Sequence, residues 1–349
     1  MNSRFYFATC QVGAEKAVKA EVLAQYPQLK FAFSRPGFIT FKQDDDRKPM
    51  IHQKPGVFTR LWGTVLNQVK DRSAFNALID SIPSKAIVHT FERDTFVPGD
   101  DPDGFVPNAN INALLKTLPA DSTARFRMNV EPELGEQIYD LMWVDDFHVF
   151  LGMHMHGFHF DPSPGNQPKI SLPAKSPSRA YLKIAEAIHR YRPKIEKGMQ
   201  VLEVGCSPGG ATTAMLAMGM KVTGIDPKYM DEALYNDPNF KFIQKIAAAV
   251  TPEDLKNTNP DWIVMDMNIA PLEAIDELVN VLLCLRKNFG DQLKIKQGFL
   301  TLKLNDWKFA ESIPLYLRRL EEAGFQQMIA TQLNSNRQEF LVVAKSFKI

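Results

Sequence analysis

Four charged residues stand where the sequence pattern leads one to expect apolar or neutral ones. Lys303 lies inside LTLKLN between leucines, and Asp266 ends the run DWIVMD. Glu339 opens EFLVVA, and Lys183 lies in the helix-like stretch SPSRAYLKIAEA. A lysine in a buried strand is costly unless it is paired. Two lysines and two carboxylates can hold one another's charge, and such a set can also take up and release a proton. For Lys303 taken alone, a structural ion-pair network or a side chain that snorkels to solvent is the plainer alternative.

A second group is VLEVGCSPGGATTAML, residues 201–216, a strand-like run, a tight turn and a helix-like run. The turn reads Gly205-Cys206-Ser207-Pro208-Gly209-Gly210, which does not match the G-x-G-x-x-G of dinucleotide sites. It also lacks the Gly-Lys pair of a P-loop. Residues 205–209 do match G-x-S-x-G, the serine elbow of hydrolases. That chemistry needs a histidine after the serine, and all seven histidines lie at or before His189. A nucleoside cofactor fits better. The turn would sit at the carboxyl end of the first strand of its domain, where open α/β sheets bind ligands. Gly205, Gly209 and Gly210 are expected to let backbone approach the ligand, with Ser207 and Pro208 completing the turn. Asp226 ends the next strand and suits the two hydroxyls of a ribose. Asp266, at the end of the fourth strand, borders the same ligand. With no phosphate cradle, the cofactor expected is S-adenosylmethionine.

A Lys-Asp-Lys-Glu set in this order, beside this turn, resembles the FtsJ-type RNA ribose 2′-O-methyltransferases. SPSRAYLKIAEA resembles that family's first helix, and DMNIAP its Asp-Met stretch. The resemblance covers residues 176–349. The segment before residue 160 is consistent with a ferredoxin-like unit plus a THUMP RNA-binding domain. Together the two halves resemble bacterial members that methylate a cytidine ribose in 23S ribosomal RNA, of the large subunit. The resemblance implies that Lys303 is the base for the 2′-hydroxyl proton, with Asp266 and Glu339 orienting the two lysines. The nearby Lys183 cation and partial burial are expected to lower the Lys303 pKa toward neutrality. Two departures stand out. The stretch after the third strand, FIQKIAAA, lacks the acid that family members place near the adenine, so that contact stays unassigned. Relatives also carry other small residues where this chain has Cys206 and Ser207. A rival reading keeps the fold but not the chemistry, as an RNA-binding ribosome-assembly factor with an inactive transferase half. The complete set of four argues against it.

Other methyl-transfer chemistries fit less well. Exocyclic-amine enzymes read Asn or Asp followed by Pro-Pro and an aromatic after the fourth strand, and cytosine C5 chemistry needs a cysteine nucleophile, whereas Cys284 lies on an apolar helix. No metal site is expected: His154 and His156 share a face of MHMHGFHF but read as ordinary polar strand residues.

These residues need a scaffold, and the pattern supplies one. Downstream of the Pro-rich stretch at 161–177, strand-like and helix-like runs alternate and end in a hairpin. That predicts an α/β class, a Rossmann-like class I methyltransferase sheet over 178–349 with one antiparallel strand from the terminal hairpin. Upstream, residues 1–50 and 51–160 read as two α+β units. FYFATC and SKAIVHTFER read as strands, TRLWGTVLNQV as helix or strand, and FHVFLGMHMHGFHF as a long strand or hairpin. In the expected strand order Asp266, Lys303 and Glu339 lie on neighbouring strands. The local run Lys169, Lys175, Arg179, Lys183, Arg190, Arg192, Lys194 and Lys197 could carry RNA phosphates or be a solvated helix face.

The 349 residues are 45% hydrophobic and 23% charged, ordinary globular composition with net charge +1. No overall basic field announces nucleic acid. Three cysteines make no disulfide framework. The expectation is a cytoplasmic monomer without a signal peptide or membrane partner, acting on ribosomal RNA.

Overall fold

The computed structural model describes residues 4–44, 53–103 and 105–348. The chain forms two compact units, Met1–Lys169 and Ile170–Ile349. The division falls inside the expected linker at 161–177.

The first unit runs β1 (Arg4–Thr9), α1 (Glu15–Gln25), β2 (Lys30–Arg35), β3 (Phe38–Gln43), β4 (Trp62–Val69), α2 (Phe75–Asp80), β5 (Ile87–Glu92), α3 (Ala109–Leu115), α4 (Ala120–Ala124), β6 (Arg127–Met128), β7 (Gln137–Asp145) and β8 (His148–Met155). Its strands form one sheet in the order β2-β3-β1-β4-β8-β7-β5-β6. The boundary expected at residue 50 lies outside the described residues. The sheet is nonetheless continuous across it, because β4 pairs antiparallel with both β1 and β8.

TRLWGTVLNQV resolves as a strand, β4. The long strand or hairpin expected at 147–160 is the single strand β8, which stops at Met155 and pairs with β7, a strand the pattern did not predict. The physical reason is Asp140, an acid in the middle of QIYDLMWVD that breaks the apolar signal. It is fully buried, and its Oδ2 lies 2.6 Å from His154 Nδ1 on the paired strand.

The second unit runs α5 (Ala180–Tyr191), β9 (Gln200–Val204), α6 (Gly210–Ala217), β10 (Lys221–Ile225), β11 (Phe240–Ile243), β12 (Trp262–Asp266), α7 (Pro271–Phe289), β13 (Gln297–Lys303), α8 (Ile313–Glu322), β14 (Phe325–Thr331) and β15 (Glu339–Phe347). Strand order is β11-β10-β9-β12-β13-β15-β14. The first five are parallel, and β15 runs antiparallel to both β13 and β14. Parallel strands covered on both faces read as continuous apolar runs, as VLEV and WIVM do. Helix α7 starts with Pro271 in its first turn, where the missing N–H costs nothing. It buries Ile275, Leu278, Leu282 and Leu285, a stripe of helical period. Val201, Met215, Val222, Trp262, Phe299 and Val343 meet in one core with α5 and α6. Among the described residues no helix is long and apolar enough to cross a membrane.

Candidate active site

Topology delivers three of the four charged residues to one place. Asp266 is the last residue of β12, Lys303 the last of β13, and Glu339 the first of β15. Because β15 runs antiparallel, its beginning lies beside the end of β13, and Glu339 is in register with Lys303. The fourth, Lys183, comes from α5. Its Nζ lies 2.8 Å from Asp266 Oδ2 and 2.7 Å from Glu339 Oε1. Lys303 Nζ lies 2.8 Å from Asp266 Oδ1 and is also bonded to Glu339 Oε2. Each ammonium therefore touches both carboxylates, and the four close into a ring of zero net charge. The side chains are 4–17% exposed. At that depth only mutual pairing makes the charges tolerable.

The ring corrects one expectation. Lys303 was expected to have a lowered pKa, but it is held well above the usual lysine value. Burial alone would lower it; the carboxylates of Asp266 and Glu339 at contact distance outweigh burial. Burial likewise would raise Asp266, and the two ammonium groups hold it below the usual carboxylate range. The neighbouring Lys183 cation is neutralised by the same acids and exerts no dominant effect on Lys303.

Two residues that the sequence pattern did not single out support the ring. Glu186, three residues after Lys183 on α5, accepts the backbone N–H groups of Asn334 and Ser335 at 2.8 Å. It also accepts the Ser335 hydroxyl at 2.7 Å. That bond set ties the loop leading into β15 to the helix that carries Lys183. Asn336 Nδ2 donates to Glu339 Oε1 at 3.2 Å. An acid every few residues is normal on an amphipathic helix, so Glu186 carried no distinguishing signal.

The turn after β9 lies against this ring. A Cβ on Gly205 would come within 2.8 Å of the Asp266 carbonyl oxygen, and Gly205 has φ +82°. A Cβ on Gly210 would meet Ser178 Oγ at 2.3 Å and Ser178 carbonyl oxygen at 2.6 Å, just before α5. One on Gly209 would meet Leu234. The three glycines thus admit the chain's own close neighbours. Gly205 brings the turn onto Asp266, and Gly210 brings α6 onto the start of the Lys183 helix.

Asp226 follows β10 and is 9% exposed. Its Oδ2 accepts the Ser207 N–H at 3.0 Å and its Oδ1 the Lys228 N–H at 2.8 Å. Each oxygen keeps a further lone pair, so the carboxylate can still accept from hydroxyl groups. Ser207 Oγ donates to the Tyr229 carbonyl at 2.7 Å, and the Pro208 carbonyl accepts the Asp231 N–H at 3.0 Å. The serine is thus a brace of the turn. Cys206 is buried, and burial holds its thiol far above the reactive range. Cys284 is buried on α7. Beneath the turn, Glu203 in β9 is 1% exposed and accepts the Thr212 hydroxyl at 2.6 Å. Its carboxyl is pushed up to about 8, chiefly by burial.

The donor set suits a cofactor with a ribose diol: a half-satisfied carboxylate at the end of β10 and a turn at a helix start. Asp226 would hold the diol, and Ser207–Gly210 would flank the remainder. Among the described residues no group of three or more His, Cys, Asp or Glu could hold a metal ion. Within the basic run, Lys183 turns into the ring, and Lys194 pairs with Glu196 at 2.6 Å.

Residues 177–345 match the family of FtsJ-like methyltransferases. The chain is 28% identical over 208 residues to a ribosomal RNA large subunit methyltransferase M of Halorhodospira halophila, a match covering 59% of this chain and 56% of that one. It therefore spans little more than half the length of that relative. It is 23% identical over 359 residues to the protein of that name from Aeromonas hydrophila, covering 95% of this chain and 94% of that one. Among solved structures, TrmN from Thermus thermophilus aligns at 14% identity and a TM-score of 0.35, covering 98% of this chain and all of that one.

Proposed function

The second unit is an FtsJ-like methyltransferase domain, an S-adenosylmethionine-dependent enzyme, and from that premise we propose that the chain methylates a ribose 2′-oxygen of ribosomal RNA. The acceptor is a cytidine of 23S ribosomal RNA, in keeping with the relatives named large subunit methyltransferase M. The observation that carries the reading is the ring of Lys183, Asp266, Lys303 and Glu339 lying against the cofactor turn.

S-adenosylmethionine, when bound, supplies an electrophilic methyl group. The rest is work for side chains of this protein. A ribose hydroxyl is a weak nucleophile until its proton leaves, so a base must sit beside the oxygen. Lys303 is that base. At rest it is protonated, so it must first release a proton, and any added positive charge nearby favours that release. Asp266 and Glu339 fix its ammonium from two sides. Lys183, bonded to the same carboxylates, limits the set to one net negative charge when Lys303 is neutral. Asp226 holds the cofactor's ribose.

A ring nitrogen acceptor has a free lone pair and needs no such base. The test is methyl transfer to undermodified large-subunit ribosomal RNA, read by nucleoside mass spectrometry. Wild type should yield 2′-O-methylcytidine and Lys303→Ala none above background, with cofactor binding kept. A methylated base in place of a methylated ribose overturns the mechanism.

A further inference from the structure

The first unit has an open groove that the transferase chemistry does not use. It has a volume of about 780 Å3 and is lined by β1, β2, β3, β4 and β8. Register places Phe33 opposite Thr40, Phe5 opposite Val65, and Gln68 opposite Phe150. Its floor is aromatic: the ring centroids of Phe33 and Phe150 are 6.2 Å apart, and those of His148 and Phe150 are 4.3 Å apart. Phe5 is 37% exposed. Hydrogen-bonding side chains, Thr40, Asn67 and Gln68, line the same groove.

The rim is cationic. Lys70 lines the groove and is exposed. The Arg35 guanidinium stacks over Phe33 at 4.8 Å from its centroid while pairing with Asp145. His148 registers the local field: burial first, then Lys70 and Arg35, drive its pKa down to about 4. The imidazole is therefore neutral in the groove, able to take part in hydrogen bonds without repelling a cation.

We propose that this groove binds an unpaired stretch of the RNA substrate, with bases stacked on Phe5 and Phe33 and a backbone phosphate at Lys70 and Arg35. The inference rests on the reading that the substrate is RNA. Aromatic platforms beside a basic track are how proteins hold single strands, since every base has a face to stack and every nucleotide a phosphate. A purely apolar protein partner would leave the exposed Lys70 ammonium without a counter-charge.

The test uses the full chain and two fluorescein-labelled probes, a ten-nucleotide single strand and the same sequence in a duplex, in anisotropy titrations across salt. The single strand should bind better. Phe5→Ala and Phe33→Ala should each weaken it by about 5- to 100-fold. Lys70→Gln should reduce the slope of log affinity against log salt by about 0.7. Cofactor affinity should stay unchanged in all three. If wild type binds the strand and all three variants match it in affinity and slope, the groove is not the site, though the RNA substrate stands. Equal binding of duplex and single strand also overturns the proposal. If wild type binds neither probe nor large-subunit ribosomal RNA, the reading of the substrate falls, and this inference with it. Should the phenylalanine variants unfold, the exposed Lys70→Gln decides through the salt slope.

Discussion

Glu203→Gln should stabilise the second unit at neutral pH, by an amount that depends on pH in a defined way. Glu203 sits in β9 with 1% exposure, and its carboxyl is pushed from the ordinary 4.5 up to about 8. Burial is the main cause. The Thr212 hydroxyl pulls the other way, and Asp266 and Asp226 add to the rise. Between pH 4.5 and 8 the folded chain therefore keeps a proton that the unfolded chain has released. The stability this group contributes is intact below 4.5 and declines as pH rises to about 8. At about 1.4 kcal/mol per unit, the loss is on the order of 3 kcal/mol at pH 7. Glutamine does not titrate and retains a carbonyl to accept from Thr212. Native-state hydrogen exchange of the β9 and β12 amides, followed from pH 5 to 8, reports the relevant opening energy. The wild-type and variant curves should converge toward acid and separate toward pH 8. A constant offset across that range, or a variant less stable throughout, would show that Glu203 is not buried as a neutral acid.

Two further outcomes follow from the ring and from Asp226. Because Lys303 is held protonated, methyl transfer should rise by about tenfold per pH unit through the neutral and mildly alkaline range. A single-turnover rate that is flat from pH 7 to 9.5 would remove Lys303 as the base. Asp226→Asn should weaken S-adenosylmethionine by roughly 10- to 100-fold in calorimetry, the loss of a charged acceptor. Unchanged affinity would move the ribose contact to another residue.

How much of this was legible in the sequence depends on whether a residue broke its local pattern. Lys303 did, as a cation between leucines in a strand, and Asp266 did, as an acid closing an apolar run. Their neighbourhood followed from strand order alone. The direction of the Lys303 pKa was not legible, because it depends on two carboxylates at contact distance, and spacing along the chain says nothing of those contacts. Glu186 and Glu203 look like any acid on a helix or strand until burial is seen. The glycines of the turn were identifiable as residues that must lack a side chain, but not what would meet a Cβ there. For Gly205 it is the backbone of Asp266, sixty-one positions away in sequence. Strand β7 was hidden by Asp140, whose partner His154 lies on a different strand.

The place of β15 has a consequence for when the ring can close. This strand enters between β13 and β14, both synthesised before it. Its first residue is Glu339, so until it is seated the two lysines share a single carboxylate and the ring cannot close. A ribosome-bound chain lacking this strand already contains the turn after β9, Asp226 and Lys303, yet lacks one of the two carboxylates that hold that lysine. Closure of the four-residue ring thus coincides with the seating of β15 between β13 and β14.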